Sequence, residues 1–198
     1  FIAGGYYFSG MLLKTGKVLT FGANDNAQLG IASGDYNTDA VWNKYADPVD
    51  VSTNSYDTKT NSYDGENAVS ISCGNEHMAI LLKTGKVVMT GSNAHLRLGN
   101  NFVPTSQGTT ERYPIDLPVI NDYDSNAVAV SCGDQHTAIL LDSGKVLAFG
   151  NNISTYTTNS PYAIDAGAGY DGANAVAISC GGYHTAILLK SGKVVGFG

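Results

Sequence analysis

Three Cys-x-x-x-His pairs are the residues that most invite a chemical reading: Cys73 with His77, Cys132 with His136, and Cys180 with His184. Thiolate and imidazole are the preferred ligands of zinc, which takes four donors in a structural site. Each pair supplies two, and a related stretch at the start of the chain carries neither, with Gly4 and Phe8 in those places. No metal and no other cofactor is expected. Gly-Lys in Lys83-Thr84-Gly85-Lys86-Val87 lacks the long glycine loop and following helix of a phosphate cradle, so it reads as a hairpin turn. The Asp- and Asn-rich first connector (Asp35, Asn37, Asp39, Asp47, Asp50, Asp57, Asp64) matches no calcium-loop spacing. No serine stands in a nucleophile elbow. The chain is read as non-enzymatic.

The pairs belong to a longer repeated sentence. Ser72-Cys73-Gly74 through Val87-Val88 returns as Ser131-Cys132-Gly133 through Val146-Leu147, and again as Ser179-Cys180-Gly181 through Val194-Val195. A decayed first copy keeps only its ending, Leu12-Leu13-Lys14-Thr15-Gly16-Lys17-Val18-Leu19. Repetition on this scale implies supersecondary units that bury their apolar faces against their neighbours. One repeat domain over 1–198 is expected, with units at 1–66, 67–125, 126–173 and 174–198, the first and last incomplete. The three cysteines hold equivalent places, which the repeat keeps apart, so each reads as a small buried thiol packed inside its unit. The imidazoles are expected to hydrogen-bond backbone groups beside Gly74, Gly133 and Gly181.

Within a unit, Ala68 to Cys73 alternates and reads as a strand, and His77 to Leu82 is an apolar run of strand length. Gly85, Gly144 and Gly192 supply the positive φ of a hairpin, and Val87 to Thr90 is the returning strand. Proline-bearing connector segments around Pro48, Pro114 and Pro161 fit an outer edge strand, because proline cannot donate to a ladder. Each connector closes on a Tyr-Asp pair: Tyr63-Asp64, Tyr123-Asp124 and Tyr170-Asp171. Four strands per unit without helices predict an all-β fold, a β-propeller of four-stranded blades with nearly four blades present. A larger propeller or assembly would complete the ring.

Charged residues are 14% of the 198 and the formal net charge is −6. An acidic chain without Lys/Arg clusters lacks the footprint of a nucleic-acid binder. No apolar run is long enough to span a membrane as a helix. Low charge with abundant Asn, Thr, Ser, Gly and Tyr predicts an extracellular location, the alternative being cytoplasmic or nuclear. Asn152-Ile153-Ser154 is a glycosylation sequon on a connector, with Asn152 as the acceptor. Connector aromatics, with Tyr36, Trp42, Tyr45, Tyr56, Tyr113 and Tyr156 foremost and Tyr63 and Tyr162 in the wider group, are the expected interaction surface, though some of the group must pack between blades.

Cys-Gly-x-x-His-x-Ala-Ile-Leu-Leu-x-x-Gly-Lys-Val, followed by Phe-Gly-x-Asn, resembles the regulator-of-chromosome-condensation repeat. Gly22-Ala23-Asn24-Asp25-Asn26-Ala27-Gln28-Leu29-Gly30 is similar to that family's trailing half, and Gly91 to Gly99 repeats it with alterations. The resemblance implies a propeller, typically of seven blades. The expected function is a structural, protein-interaction module whose partners are further copies of itself or the rest of a longer polypeptide, in one form a subunit of a self-assembled extracellular fibre or tube. The alternatives are a guanine-nucleotide exchange factor for a small GTPase, which the resemblance implies, or a secreted inhibitor propeller.

Overall fold

A computed structural model describes residues 1–31, 44–51, 62–99, 110–116, 125–151, 158–163 and 169–198. Alternating apolar runs split by hairpin glycines fold into four antiparallel sheets. Blade 1 is β1 (Ile2–Gly4), β2 (Phe8–Leu12), β3 (Val18–Ala23) and β4 (Lys44–Asp50). Blade 2 is β5 (Ala68–Cys73), β6 (His77–Leu82), β7 (Val87–Ser92) and β8 (Thr110–Asp116). Blade 3 is β9 (Ala127–Cys132), β10 (His136–Leu141), β11 (Val146–Gly150) and β12 (Thr158–Ala163). Blade 4 contributes β13 (Ala175–Cys180), β14 (Thr185–Leu189) and β15 (Val194–Phe197). Each sheet is a meander, with strands paired in sequence order. The three proline-bearing segments form the outermost strands, where a missing amide costs least. A short 3-10 helix, Ala94–Leu96, is the one helical turn among the described residues and departs from the strand-only expectation.

The first strands of successive blades approach one another, β1 with β5, β5 with β9 and β9 with β13, so they line the axis. Period-two alternation then gives each middle strand two apolar faces. Ala79, Leu81, Val87 and Met89 of blade 2 meet Ile139, Leu141, Leu147 and Phe149 of blade 3. The alternate residues of blade 2, Met78, Ile80, Leu82 and Val88, meet Phe8 and Val18 of blade 1. Ala138, Leu140, Val146 and Ala148 of blade 3 in turn meet Ile187, Leu189 and Val195 of blade 4. Burying a large aliphatic side chain contributes about 1.5–3 kcal/mol, so these three seams, rather than any one sheet, hold the array together.

Candidate functional site

The Cys-Gly-x-x-His motif places its groups across the seams. His77 Nε2 lies 2.9 Å from Thr137 Oγ1 of the next blade, and His136 Nε2 lies 2.9 Å from Thr185 Oγ1. Thr137 donates its only hydroxyl proton to the Arg97 carbonyl at 2.9 Å, so His77 must be the donor and carries its proton on Nε2. Its Nδ1 is then a bare lone pair with no partner, packed against the Cα of Gly74. Burial first, then the Arg97 guanidinium and His136, hold His77 well below the ordinary imidazole range. The imidazoles were expected to bind backbone beside the glycine turn. Those of His77 and His136 bind a hydroxyl of the following blade instead, because the ring points along the seam.

The cysteines are also seam groups. Cys132 donates its amide to Ser72 Oγ at 3.0 Å and its thiol to Ser72 O at 3.4 Å. Cys180 does the same to Ser131, at 2.8 and 3.2 Å. The thiols therefore sit between units rather than inside one, a correction to the sequence expectation. All three are free. Burial pushes the Cys73 thiol up to about 12, and those of Cys132 and Cys180 upward as well, so they stay protonated and non-nucleophilic at neutral pH. Among the described residues no group of three or more His, Cys, Asp or Glu is placed to hold a metal ion.

Glycine follows each seam cysteine for a steric reason. A Cβ on Gly5 would lie 2.7 Å from the Gly74 carbonyl oxygen, and one on Gly133 would lie 2.6 Å from that of Gly181. Gly74 approaches the Gly133 carbonyl more closely still. Each inner turn thus rests on the next one's backbone. The hairpin glycines Gly85, Gly144 and Gly192 hold φ of 76°, 81° and 81°, the left-handed region the turn requires.

Arg97 ties the seam between blades 2 and 3. It is buried, donating to the Ala94 carbonyl (2.8 Å), to the Asp134 carbonyl of blade 3 (3.0 Å) and to Glu76 Oε2 (3.1 Å). It stands where the first trailing segment has Gln28, whose side-chain oxygen accepts the local amide of Asn26.

Tyr63 and Tyr170 were missed as structural residues. Tyr63 is buried, and its hydroxyl accepts the Val18 amide of the preceding blade at 2.7 Å. Tyr170 does the same for Val146 at 2.7 Å. Tyr63 is therefore a latch and not contact surface, since its ring closes the hydrophobic seam. Burial pushes its phenol up to about 12. Of the other connector aromatics, Tyr36, Trp42, Tyr56 and Tyr156 lie outside the described residues, as do Tyr123 and the sequon Asn152. Tyr45 and Tyr113 lie on the outer strands β4 and β8.

Besides the N-terminal Phe1, the exposed aromatics that the structure does show are in the turns between first and second strands. Tyr6 is 65% exposed and packs edge-on against Tyr7 with ring centroids 4.2 Å apart, and Tyr183 is 54% exposed. These turns ring one end of the axis, where Gly4, Gly5, Gly74, Gly133, Gly181 and Gly182 line a cavity of about 290 Å³ beside Tyr6, Asn75 and Asp134. Such a mouth offers phenol rings, backbone and a carboxylate, which suits recognition.

Meandering blades nested by their faces around an axis define a repeat β-propeller. Family models of the regulator of chromosome condensation (RCC1) repeat match residues 15–81 and 84–140, and a second model of that repeat matches 68–95, 127–154 and 175–198. The chain belongs to the RCC1 repeat family. It is 38% identical over 87 residues to the "Regulator of chromosome condensation" of Drosophila melanogaster, covering 43% of this chain and 14% of that protein. It superposes over its full length on 48% of human WBSCR16, at TM-score 0.78 and 24% identity. It likewise superposes on 43% of Prp20p from Saccharomyces cerevisiae, at TM-score 0.72 and 18% identity. The chain thus spans less than half the length of each.

Proposed function

We propose that the chain is a protein-interaction propeller that receives a folded protein on its tyrosine-rimmed axial mouth. The observation that carries this reading is the placement of Tyr6, Tyr7 and Tyr183 in solvent, on turns whose backbone is fixed by the glycine contacts beneath. Phenol rings on a rigid base give large contact area at low entropic cost. The likeness to Prp20p, a protein described with binding properties to Gsp1p and histones, supports a small GTPase as partner. Titrating the chain with Gsp1p by calorimetry tests this: the Tyr6→Ala/Tyr183→Ala chain is expected to bind at least tenfold more weakly, about 1.4 kcal/mol. Unchanged affinity would refute it.

A second reading, guanine-nucleotide exchange, is favoured by the similarity to the Drosophila regulator. Release of labelled nucleotide from the GTPase separates exchange from plain binding. For location we propose the outside of the cell, on the low charge and polar, glycine-rich composition. Fractionation of the source cells decides it against the cytoplasm or nucleus.

A further inference from the structure

The backbone of the axial mouth has spent its donors and kept its acceptors. The amides of Gly5, Gly74, Gly133 and Gly181 donate inside their own turns, to the carbonyls of Phe8, His77, His136 and His184. The carbonyls of Gly74, Gly133 and Gly181 accept no hydrogen bond among the described residues. Each instead lies against the glycine of the preceding turn, too close to admit a Cβ.

One position after each of these glycines also faces the cavity, and the four turns fill it with Tyr6, Asn75, Asp134 and Gly182. The frame is the same in all four, so it does not require a carboxylate at that place. The backbone of Asp134 is tied into the seams, its amide to the Gly182 carbonyl at 2.9 Å and its carbonyl to Arg97 at 3.0 Å. Its half-buried carboxylate makes neither a hydrogen bond nor an ion pair among the described residues. Arg97, the cation within electrostatic reach of it, is paired with Glu76 at 3.1 Å. Blade 3 has a blade of this chain on either side, β5 and β13 both meeting β9, so the carboxylate is flanked by described neighbours.

A phenol ring, a free carboxylate and bare carbonyls match a guanidinium. That group carries five donors in a plane, no acceptor and a permanent charge, and it stacks on aromatic faces. An anion would meet Asp134 and carbonyl lone pairs, and an apolar group would desolvate the carboxylate without pairing it. The cavity of about 290 Å³ is at the small end of ligand sites and suits one side chain. We propose that the mouth takes an arginine side chain of the docked protein, its guanidinium paired with Asp134 and flanked by the Tyr6 ring. This rests on the reading of the mouth as a protein-docking site and adds the chemistry of what enters it.

The probe is the blocked peptide acetyl-Ala-Arg-Ala-amide, with acetyl-Ala-Glu-Ala-amide as its counterpart, followed by nuclear magnetic resonance of the isotope-labelled chain. The arginine peptide is expected to shift the Gly133, Gly181 and Gly182 amides saturably at about millimolar concentration, and the glutamate peptide to shift none of them. Asp134→Asn should weaken the arginine peptide about tenfold, the scale of one charge-assisted hydrogen bond. Asp142→Asn removes the same charge from the β10–β11 hairpin at the opposite end and should change nothing. Binding indifferent to Asp134→Asn, shifts confined to the hairpins, or no saturable shift overturns the proposal. Gsp1p held at full affinity by the Asp134→Asn chain, yet released by Tyr6→Ala/Tyr183→Ala, would keep the docking reading and refute the arginine. A chain that takes the arginine peptide at Asp134 and ignores Gsp1p would do the reverse.

Discussion

The seam between blades 1 and 2 and the seam between blades 2 and 3 solve one geometric problem with opposite chemistry. In the latter, buried His77 donates to Thr137, and Arg97 reaches the Asp134 carbonyl across the gap. In the former, Phe8 replaces the histidine and Met78 replaces the threonine, and both lie in one apolar cluster. Gln28 replaces Arg97 there. The exchange is concerted on both sides, which shows that the seam constrains pairs rather than single residues. A lone phenylalanine opposite a threonine would strand a buried hydroxyl, and a lone histidine opposite methionine would strand its N–H.

This difference can be broken at several points, and chemical denaturation measures each. Phe8→Ala empties the aromatic centre of the apolar seam and should cost about 4 kcal/mol. Arg97→Met removes the cross-seam tie and leaves the Ala94 and Asp134 carbonyls unpaired, for a loss of about 3 kcal/mol. An Arg97→Met chain as stable as the original would show the apolar cluster alone carries the second seam.

Acid should separate the two seams next. Burial and Arg97 depress the protonation of His77, so the unfolded chain binds more protons than the folded one below the free imidazole value. Stability is then full above about pH 6.5 and falls below it, by about 1.4 kcal/mol per pH unit for this residue until its folded value is reached. The charged and titratable groups around the ring are Arg97, with its Glu76 partner, and His136. Importing the first seam's pair, His77→Phe with Thr137→Met, should flatten this acid slope. An unchanged slope would assign it to other groups. The smallest effect is expected from Tyr170→Phe, about 1 kcal/mol, with faster hydrogen exchange at the Val146 amide as its signature.

The strands, the hairpin glycines and the edge prolines were all readable in the chain, because each is a local rule of pattern or φ. Seam partners were not. Thr137 is 60 residues from His77, and alternation assigns residues to faces without saying which face meets which neighbour. One signal was available: Met78 departs from threonine in the unit that follows the unit where Phe8 departs from histidine. Tyr63 was misread for a similar reason. Its recurrence three or four residues before Asn-Ala-Val marked a structural part, but aromatic content of the connectors suggested surface. The axial tyrosines went unnoticed because only two units carry them: Tyr7 and Tyr183 stand at the turn position that Glu76 and Gln135 occupy in the other units.

The tyrosine latches also order events in time. Val18 lies 45 residues upstream of the phenol that satisfies its amide, and Val146 lies 24 upstream of its own. A ribosome delivering this polypeptide from its first residue onward leaves the first and third sheets each with an open amide until the stretch leading into the next sheet has emerged. Maturation therefore runs one module behind synthesis, and a stall within a connector would strand the preceding module unsealed.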